Sequence, residues 1–189
     1  MSWYEKLNGY FPVEEMKSKQ HIEVLLDEKK EYKKSESEKH VLLYVEEKDF
    51  IFVDYLLVTK HARGEGLGKK LLDGLKKKQK PIILEVEPAI RNDQDSIKRL
   101  NFYKRENFVH ASSIIYKRKS LATKRENKME ILYWSPKEVS EEAILRAMKH
   151  IYEDVHTYKD TVLYGQRYQP VKEVLQLETS QTEDILQAI

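Results

Sequence analysis

The spacing of apolar positions changes along the chain, and each change marks an element. His40 to Val45 and Phe50 to Val58 are rich in strand-forming residues, with Glu46 to Asp49 as the turn between them. In the second run, alternation puts Phe52, Asp54, Leu56 and Val58 on one face and Ile51, Val53, Tyr55 and Leu57 on the other. One acid therefore stands among apolar neighbours. The period then lengthens: Leu67, Leu71, Leu72 and Leu75 trace one face of a helix, with Lys69, Lys70, Lys76, Lys77 and Lys78 largely elsewhere. Pro81 to Val86 is nearly continuous in apolar residues, as expected of a strand covered on both faces. A strand, crossover helix and strand in this order imply a parallel pair. After a loop from Pro88 to Asp95, Asp95 or Ser96 caps a helix reaching Arg105, with Ile97, Leu100 and Tyr103 or Lys104 on one side. Phe108 to Lys117 and Met129 to Trp134 read as late strands, joined by a solvated basic linker from Arg118 to Lys128.

The two ends are less regular. Trp3, Tyr4, Leu7, Tyr10 and Phe11 form an aromatic cluster that anchors the start of the chain. Pro12 suits the first turn of a helix, with Glu14 and Glu15 placed to complement its dipole. Val13, Met16, Val24 and Leu25 continue a partial apolar stripe to about Tyr32, giving one or two helices. Tyr32 to Lys39 is expected to be a charged, solvated loop, and no convincing strand precedes Pro12. Near the other end, Ser135-Pro136-Lys137-Glu138 has capping-box spacing with proline at the first helical position. The helix it predicts has an apolar face of Ile144, Leu145, Met148, Ile151, Tyr152 and Val155, which must cover something. Pro170 to Leu177 reads as a short helix, and Glu178 to Ile189 as a fraying acidic tail.

Composition narrows the classes of function. With 189 residues, 40% hydrophobic and 35% charged, the chain can bury a proper core while staying heavily solvated. Its 34 basic and 32 acidic residues leave a net charge of +2, which argues against nucleic acid as a partner. The absence of cysteine excludes disulfides, thiolate metal sites and a cysteine nucleophile. The six histidines form no tight metal pair, so no metal is expected. No run has the length of a signal-peptide core or a membrane span, so no membrane role and a cytoplasmic location are expected.

The candidate chemistry centres on Arg63-Gly64-Glu65-Gly66-Leu67-Gly68, which holds three of the six glycines. Between a strand and a helix, such a cluster lets the backbone approach a ligand and leaves helix-start amides free to meet phosphate. It fails as a Walker loop because Lys70 stands where a hydroxyl residue is needed, and as a dinucleotide fingerprint because Lys69 replaces the third glycine. The order Arg63, two residues, Gly66, one residue, Gly68 closely resembles the pyrophosphate signature of the GNAT superfamily of acetyl-CoA-dependent N-acetyltransferases. Leu84-Glu85-Val86 resembles that family's next strand, and Asn101 to Phe108 its tyrosine segment, with Asn107 in place of the customary glycine.

The resemblance covers roughly residues 40 to 134 and implies an α/β fold, a central mixed sheet flanked by helices. Here the amino end is shortened and the carboxy end carries extra helices. The expected division is 1–134 as the acetyltransferase domain and 135–189 as a helical extension packed on it, most simply where the first strand is missing; the alternative is that the extension recruits a protein partner. The resemblance further implies acetyl transfer from acetyl-CoA to an amine acceptor in a ternary complex. Leu57, Val58 and Thr59 would hold the pantetheine arm, and Arg63, Gly64, Glu65, Gly66, Leu67, Gly68 and Lys69 the pyrophosphate. Tyr103 takes the position of the general acid. Asp54 and Glu85 are the leading carboxylates for the base, ahead of Glu87, Tyr55, His110 or a water chain. The alternative function is a GNAT-like CoA-binding regulatory or protein-interaction protein with little turnover.

Overall fold

The computed structural model describes residues 1–89, 94–120, 123–178 and 182–189. Among these, eight strands form one mixed sheet with helices on both faces. The chain enters as two helices, α1 (Trp3–Asn8) and α2 (Lys19–Glu28). The aromatic start is helical because Ser2 and Glu5 cap each other: the Glu5 amide donates to the Ser2 hydroxyl at 3.3 Å and the Ser2 amide to the Glu5 carboxylate at 2.6 Å. Pro12 to Glu15, expected to open a helix, is instead a turn between the two. The Tyr55 hydroxyl pins it, accepting from the Lys17 amide and donating to the Glu15 carbonyl, both at 2.9 Å. The next helix waits for the cap at Ser18, whose hydroxyl accepts from the His21 amide.

Tyr32 to Glu36 is a strand, β1, antiparallel to β2 (His40–Glu46), which corrects the expected solvated loop. Its lysines are those of an edge strand whose outer side meets water, while Tyr32 is buried. No strand precedes α1. From β2 the sheet continues through β3 (Ile51–Val58) and β4 (Ile82–Val86), the last two parallel and joined by α3 (Leu67–Lys76). Helix α4 (Gln94–Arg105) then leads to β5 (Val109–His110), β6 (Ile114–Lys119) and β7 (Glu126–Trp134). The expected strand Phe108 to Lys117 is thus broken in two. Arg118 lies inside β6 with 6% exposure, so the basic linker is shorter than expected and that arginine is not solvated. Residues 90–93 of the Pro88 to Asp95 loop, and 121–122 of that linker, lie outside the described residues.

Two irregularities position the site. Opposite Leu43 and Tyr44, β3 carries an extra residue: Leu43 pairs with Tyr55 and Tyr44 with Val53, leaving Asp54 as a bulge. The alternation read from the sequence switches there. Tyr55 and Leu57 join Phe52 in the core beneath α1 and α2, while Leu56 stays with Ile51 and Val53 on the other side. The second irregularity is a split. β3 and β4 pair from Ile51 and Ile82 to Val53 and Leu84 and no further, although β3 runs on to Val58 and β4 to Val86. Val86 is held by β7 instead, so a wedge opens between the two parallel strands.

Helix α5 (Glu141–Ile151) starts at Ser140, not at Ser135, because the Ser140 hydroxyl accepts from the Ala143 amide and Glu141 and Glu142 follow it into the first turn. Ile144, Leu145, Met148 and Ile151, with Tyr152 and Val155 from the π turn Tyr152–His156, are buried with Leu7, Ile22 and Leu25. Each such fully buried aliphatic side chain contributes about 1.5–3 kcal/mol. Beyond α6 (Asp160–Tyr164), the segment read as a helix from Pro170 to Leu177 divides into α7 (Val171–Val174) and β8 (Leu175–Leu177), an antiparallel partner of β6. Residues 179–181 of the expected tail lie outside the described residues, but its remainder is docked rather than frayed. The Thr182 amide donates to the Ser112 carbonyl at 2.9 Å, and Leu186 is 4% exposed beside Leu100 and Leu132.

Candidate active site

The glycine run forms a turn between β3 and α3. Gly64 has φ 87° and Gly66 φ 74°, left-handed backbone that side chains with a Cβ resist, and a Cβ at either would meet nothing within 4 Å. The space over both is open. Gly66 is the residue before α3 and no side chain caps it, so the first amides of α3 face outward with the positive end of the helix behind them. Gly68 serves packing instead. A Cβ there would lie 3.2 Å from the Phe102 ring, so its absence lets α3 sit closely on α4.

Arg63 closes the turn. Its Nε donates to the Val58 carbonyl at 3.3 Å, its guanidinium lies 4.9 Å from the centre of the Tyr10 ring, and Asp95 is 3.5 Å away. A groove of about 390 Å³ runs from this turn past Leu56 and Val58 to Phe102 and Tyr103 on α4. Of the residues expected to hold the cofactor, Val58, Arg63, Gly64, Gly66, Leu67, Gly68 and Lys69 line it. Leu57 points into the core with 4% exposure, and Glu65 pairs with Lys39 at 2.8 Å; neither side chain lines the groove. Thr59 sits ahead of the short 3-10 turn Lys60–Ala62 and does not line the groove.

Tyr103 also lines a second, smaller cavity of about 40 Å³ inside the wedge between β3 and β4. Burial pushes its hydroxyl up to about 12, against the pull of Arg99. Both expected carboxylates reach this cavity, and both are already engaged. Asp54 accepts from Lys17 and from the Tyr32 hydroxyl, each at 2.6 Å. Glu85 accepts from His156 at 2.6 Å and lies 3.6 Å from the Arg118 guanidinium. Burial alone would raise the Glu85 carboxyl, but His156 and Arg118 outweigh it and bring it down to about 2. Tyr55 is held by the Glu15 to Lys17 turn, and His110 bonds Glu130 at 3.0 Å, away from the cavity.

Four residues at or beneath the wedge are not found by sequence reasoning: Glu15, Lys17, Arg118 and His156. The sequence pattern points Glu15 to a helix dipole and Arg118 to a solvated linker; Lys17 and His156 carry no local signal. Glu15 has an oxygen, Oε1, buried without a hydrogen-bond partner. Burial and the neighbouring Glu87 carboxyl push Glu15 up to about 8, with Arg99 acting against them. Among the described residues no group of three His, Asp or Glu is placed to hold a metal ion, and no helix is long and apolar enough to cross a membrane.

No family model matches the chain. Its fold resembles that of a "Putative acetyltransferase from GNAT family" from Bacteroides thetaiotaomicron, with a TM-score of 0.66 and 21% identity over 87% of this chain and 91% of the other. In sequence it is 60% identical over 178 residues to the "Putative acetyltransferase YjbC" of Bacillus subtilis (strain 168), covering 94% of this chain and 93% of that protein. The chain belongs to the acetyltransferase family of this relative, and its fold is that of the GNAT structure. It is therefore an acyltransferase. A more distant structure is a Bacillus subtilis acetyltransferase in complex with CoA, with a TM-score of 0.48 and 17% identity over 70% of this chain and 90% of the other. The mixed sheet flanked by helices is the GNAT fold that the glycine signature implied. Because the relative from Bacillus subtilis spans nearly the whole chain, the match takes in most of residues 135–189 as well as the glycine turn.

Proposed function

We propose that this chain moves the acetyl group of acetyl-CoA to a primary amine by direct attack in a ternary complex. The observation that carries the reading is that the groove from the glycine turn and the cavity in the wedge meet at Tyr103. A phosphate-bearing carrier laid along the first would bring its acyl end to the mouth of the second. The residues present suit such a carrier: Gly64 and Gly66 leave open space before uncapped amides, and Arg63 and Lys69 add positive charge. The edge of β3 that β4 leaves without a partner strand beyond Val53, running on to Leu57, Val58 and Thr59, is the hold for an extended amide-bearing arm. Glu65 contributes its backbone to the turn.

In this proposal Tyr103 hands its proton to the departing sulfur, a role suited to a hydroxyl that burial keeps protonated. Asp54 and Glu85 form fixed, paired charges in the wall of the acceptor cavity. The acceptor is a small molecule or a protein that presents an amine narrow enough to enter. Residues 1–134 act as the acetyltransferase domain, and residues 135–189 pack on it as an integral layer through α5 and β8, in preference to recruiting a partner. A cytoplasmic location, where acetyl-CoA is available, goes with this reading, and nucleic acid has no part in it.

The test is CoA release from acetyl-CoA across a broad panel of amines. Transfer to at least one amine, cut by about 10² or more in Tyr103→Phe with acetyl-CoA affinity retained, is the expected result. Full activity in Tyr103→Phe would remove the tyrosine from the chemistry. Tight CoA binding with no transfer to any amine would favour a regulatory, CoA-binding role instead.

A further inference from the structure

We infer that Glu15, on the turn between α1 and α2, is the group that takes the proton from the acceptor amine. The inference rests on the acetyl-transfer reading above and supplies the base that reading lacks. The geometry selects Glu15 by what surrounds each carboxyl in the wedge. Asp54 is held by Lys17 and Tyr32, and Glu85 by His156 and Arg118, so each already has a cationic or hydrogen-bonding partner. Glu15 lines the same cavity as Tyr103; its carboxyl hydrogen-bonds the carboxyl of Glu87, a like-charged group and not a cation, and its Oε1 is buried without a hydrogen-bond partner. An acceptor ammonium entering the cavity would satisfy that oxygen. The main chain holds the residue in place, because the Glu15 carbonyl accepts from the Tyr55 hydroxyl that also meets the Lys17 amide.

The charged surroundings tune the carboxyl for proton transfer. Glu87 approaches it from the end of β4, Arg99 and Tyr103 from α4, Arg118 from β6, and Asp54 and Tyr55 from β3, with Glu85 also on the cavity wall. Burial and the like charge of Glu87 hold Glu15 near 8, while Arg99, 4.0 Å from Glu87, and Arg118 limit the rise. A carboxyl poised there exchanges protons with an amine far more readily than one near 2.

The step balances. The ammonium N–H bond breaks and its proton passes to the Glu15 carboxylate, freeing the nitrogen lone pair. That pair forms the new C–N bond at the thioester carbon. As the C–S bond breaks, its electrons leave with sulfur, which takes the Tyr103 proton. The second proton lost by nitrogen restores Tyr103, and Glu15 later releases its proton to water.

The test uses spermidine, 2-phenylethylamine, lysine methyl ester and a peptide with a free amino terminus as acceptors. Glu15→Gln should lower kcat/KM by about 10²–10³ with acetyl-CoA affinity unchanged, and should abolish the rise of the rate with pH through about 8. Glu87→Gln should move that rise to lower pH, a change that a purely structural role for Glu15 would not produce. A second readout needs no acceptor: with ¹³C-labelled glutamate, one side-chain carboxyl should titrate near 8 and vanish from the spectrum of Glu15→Gln. An unchanged pH profile in Glu15→Gln, or a Glu15 signal titrating in the ordinary carboxylate range, overturns the inference. Wild-type protein that transfers to none of these amines while Glu15 still titrates near 8 would instead count against the acetyl-transfer reading itself.

Discussion

The charged wedge beside β3 and the glycine turn that follows this strand are built by opposite means. The turn is made from main chain: two left-handed glycines and the uncapped start of α3, all within Arg63 to Gly68. The wedge is made from side chains delivered by distant segments, with Lys17, Asp54, Glu85, Arg118 and His156 meeting in a buried network. A main-chain site depends on conformation at a few adjacent positions, whereas a side-chain site depends on every partner arriving. The wedge should therefore be the more fragile region.

The largest effect should come from breaking the network. Glu85→Ala would leave the Arg118 guanidinium buried without its carboxylate, a loss on the order of 3–5 kcal/mol by the general behaviour of broken buried pairs. Urea unfolding at neutral pH measures it, and a loss below about 1 kcal/mol would show the network to be loosely held. The pH dependence has a definite sign. The Glu85 carboxyl falls from 4.5 to about 2 on folding, so the unfolded chain binds its proton first as pH drops. Its contribution is complete above 4.5 and is lost as pH falls toward 2. The stability gap between wild type and Glu85→Gln should narrow across that interval.

The same contrast explains what can be read from the chain. The turn is legible because its residues are contiguous and its chemistry resides in glycine spacing; β2, β3, α3 and β4 are legible because each carries its own period. Strand β1 is not, since an edge strand with one buried tyrosine and a row of lysines has the composition of a loop. The bulge at Asp54 also leaves no periodic trace, and it turns Tyr55 and Leu57 to the opposite face from the one alternation assigns. Asp54, Glu85 and Tyr103 can be found from the strands and helix that carry them. Their partners cannot, because Lys17 and His156 reach the wedge from segments 37 and 71 positions away from the acids they meet.

A smaller effect is expected at the turn. Gly66→Ala places a Cβ on a residue with φ 74°, which costs about 1–2 kcal/mol. For a chain of this size that lowers the melting temperature by roughly 2–8 °C. The new methyl has open space, so the loss is conformational. If Ala relaxes the turn toward φ < 0, the amides at the start of α3 swing away from the groove. Losing one hydrogen bond to a charged phosphate then weakens acetyl-CoA by about tenfold or more, readable by isothermal titration. Unchanged affinity with a lowered melting temperature would mean that the turn shapes the fold and does not grip the carrier.

The smallest change should be at Gly68, two residues on, and it separates the two kinds of glycine. Its φ is not left-handed, and an added Cβ meets the tip of Phe102 at 3.2 Å, the far end of a side chain that can give by a few tenths of an ångström. Gly68→Ala also gains up to about 1 kcal/mol of helix propensity inside α3, which offsets the cost of moving the ring. The net change should lie within about 0.5 kcal/mol, the range of substitutions that touch no special feature. Acetyl-CoA affinity should stay within about twofold. A drop in affinity as large as that of Gly66→Ala would show that α3 must approach α4 this closely for the first turn of the helix to face the groove. The distinction between a packing glycine and a gripping one would then dissolve.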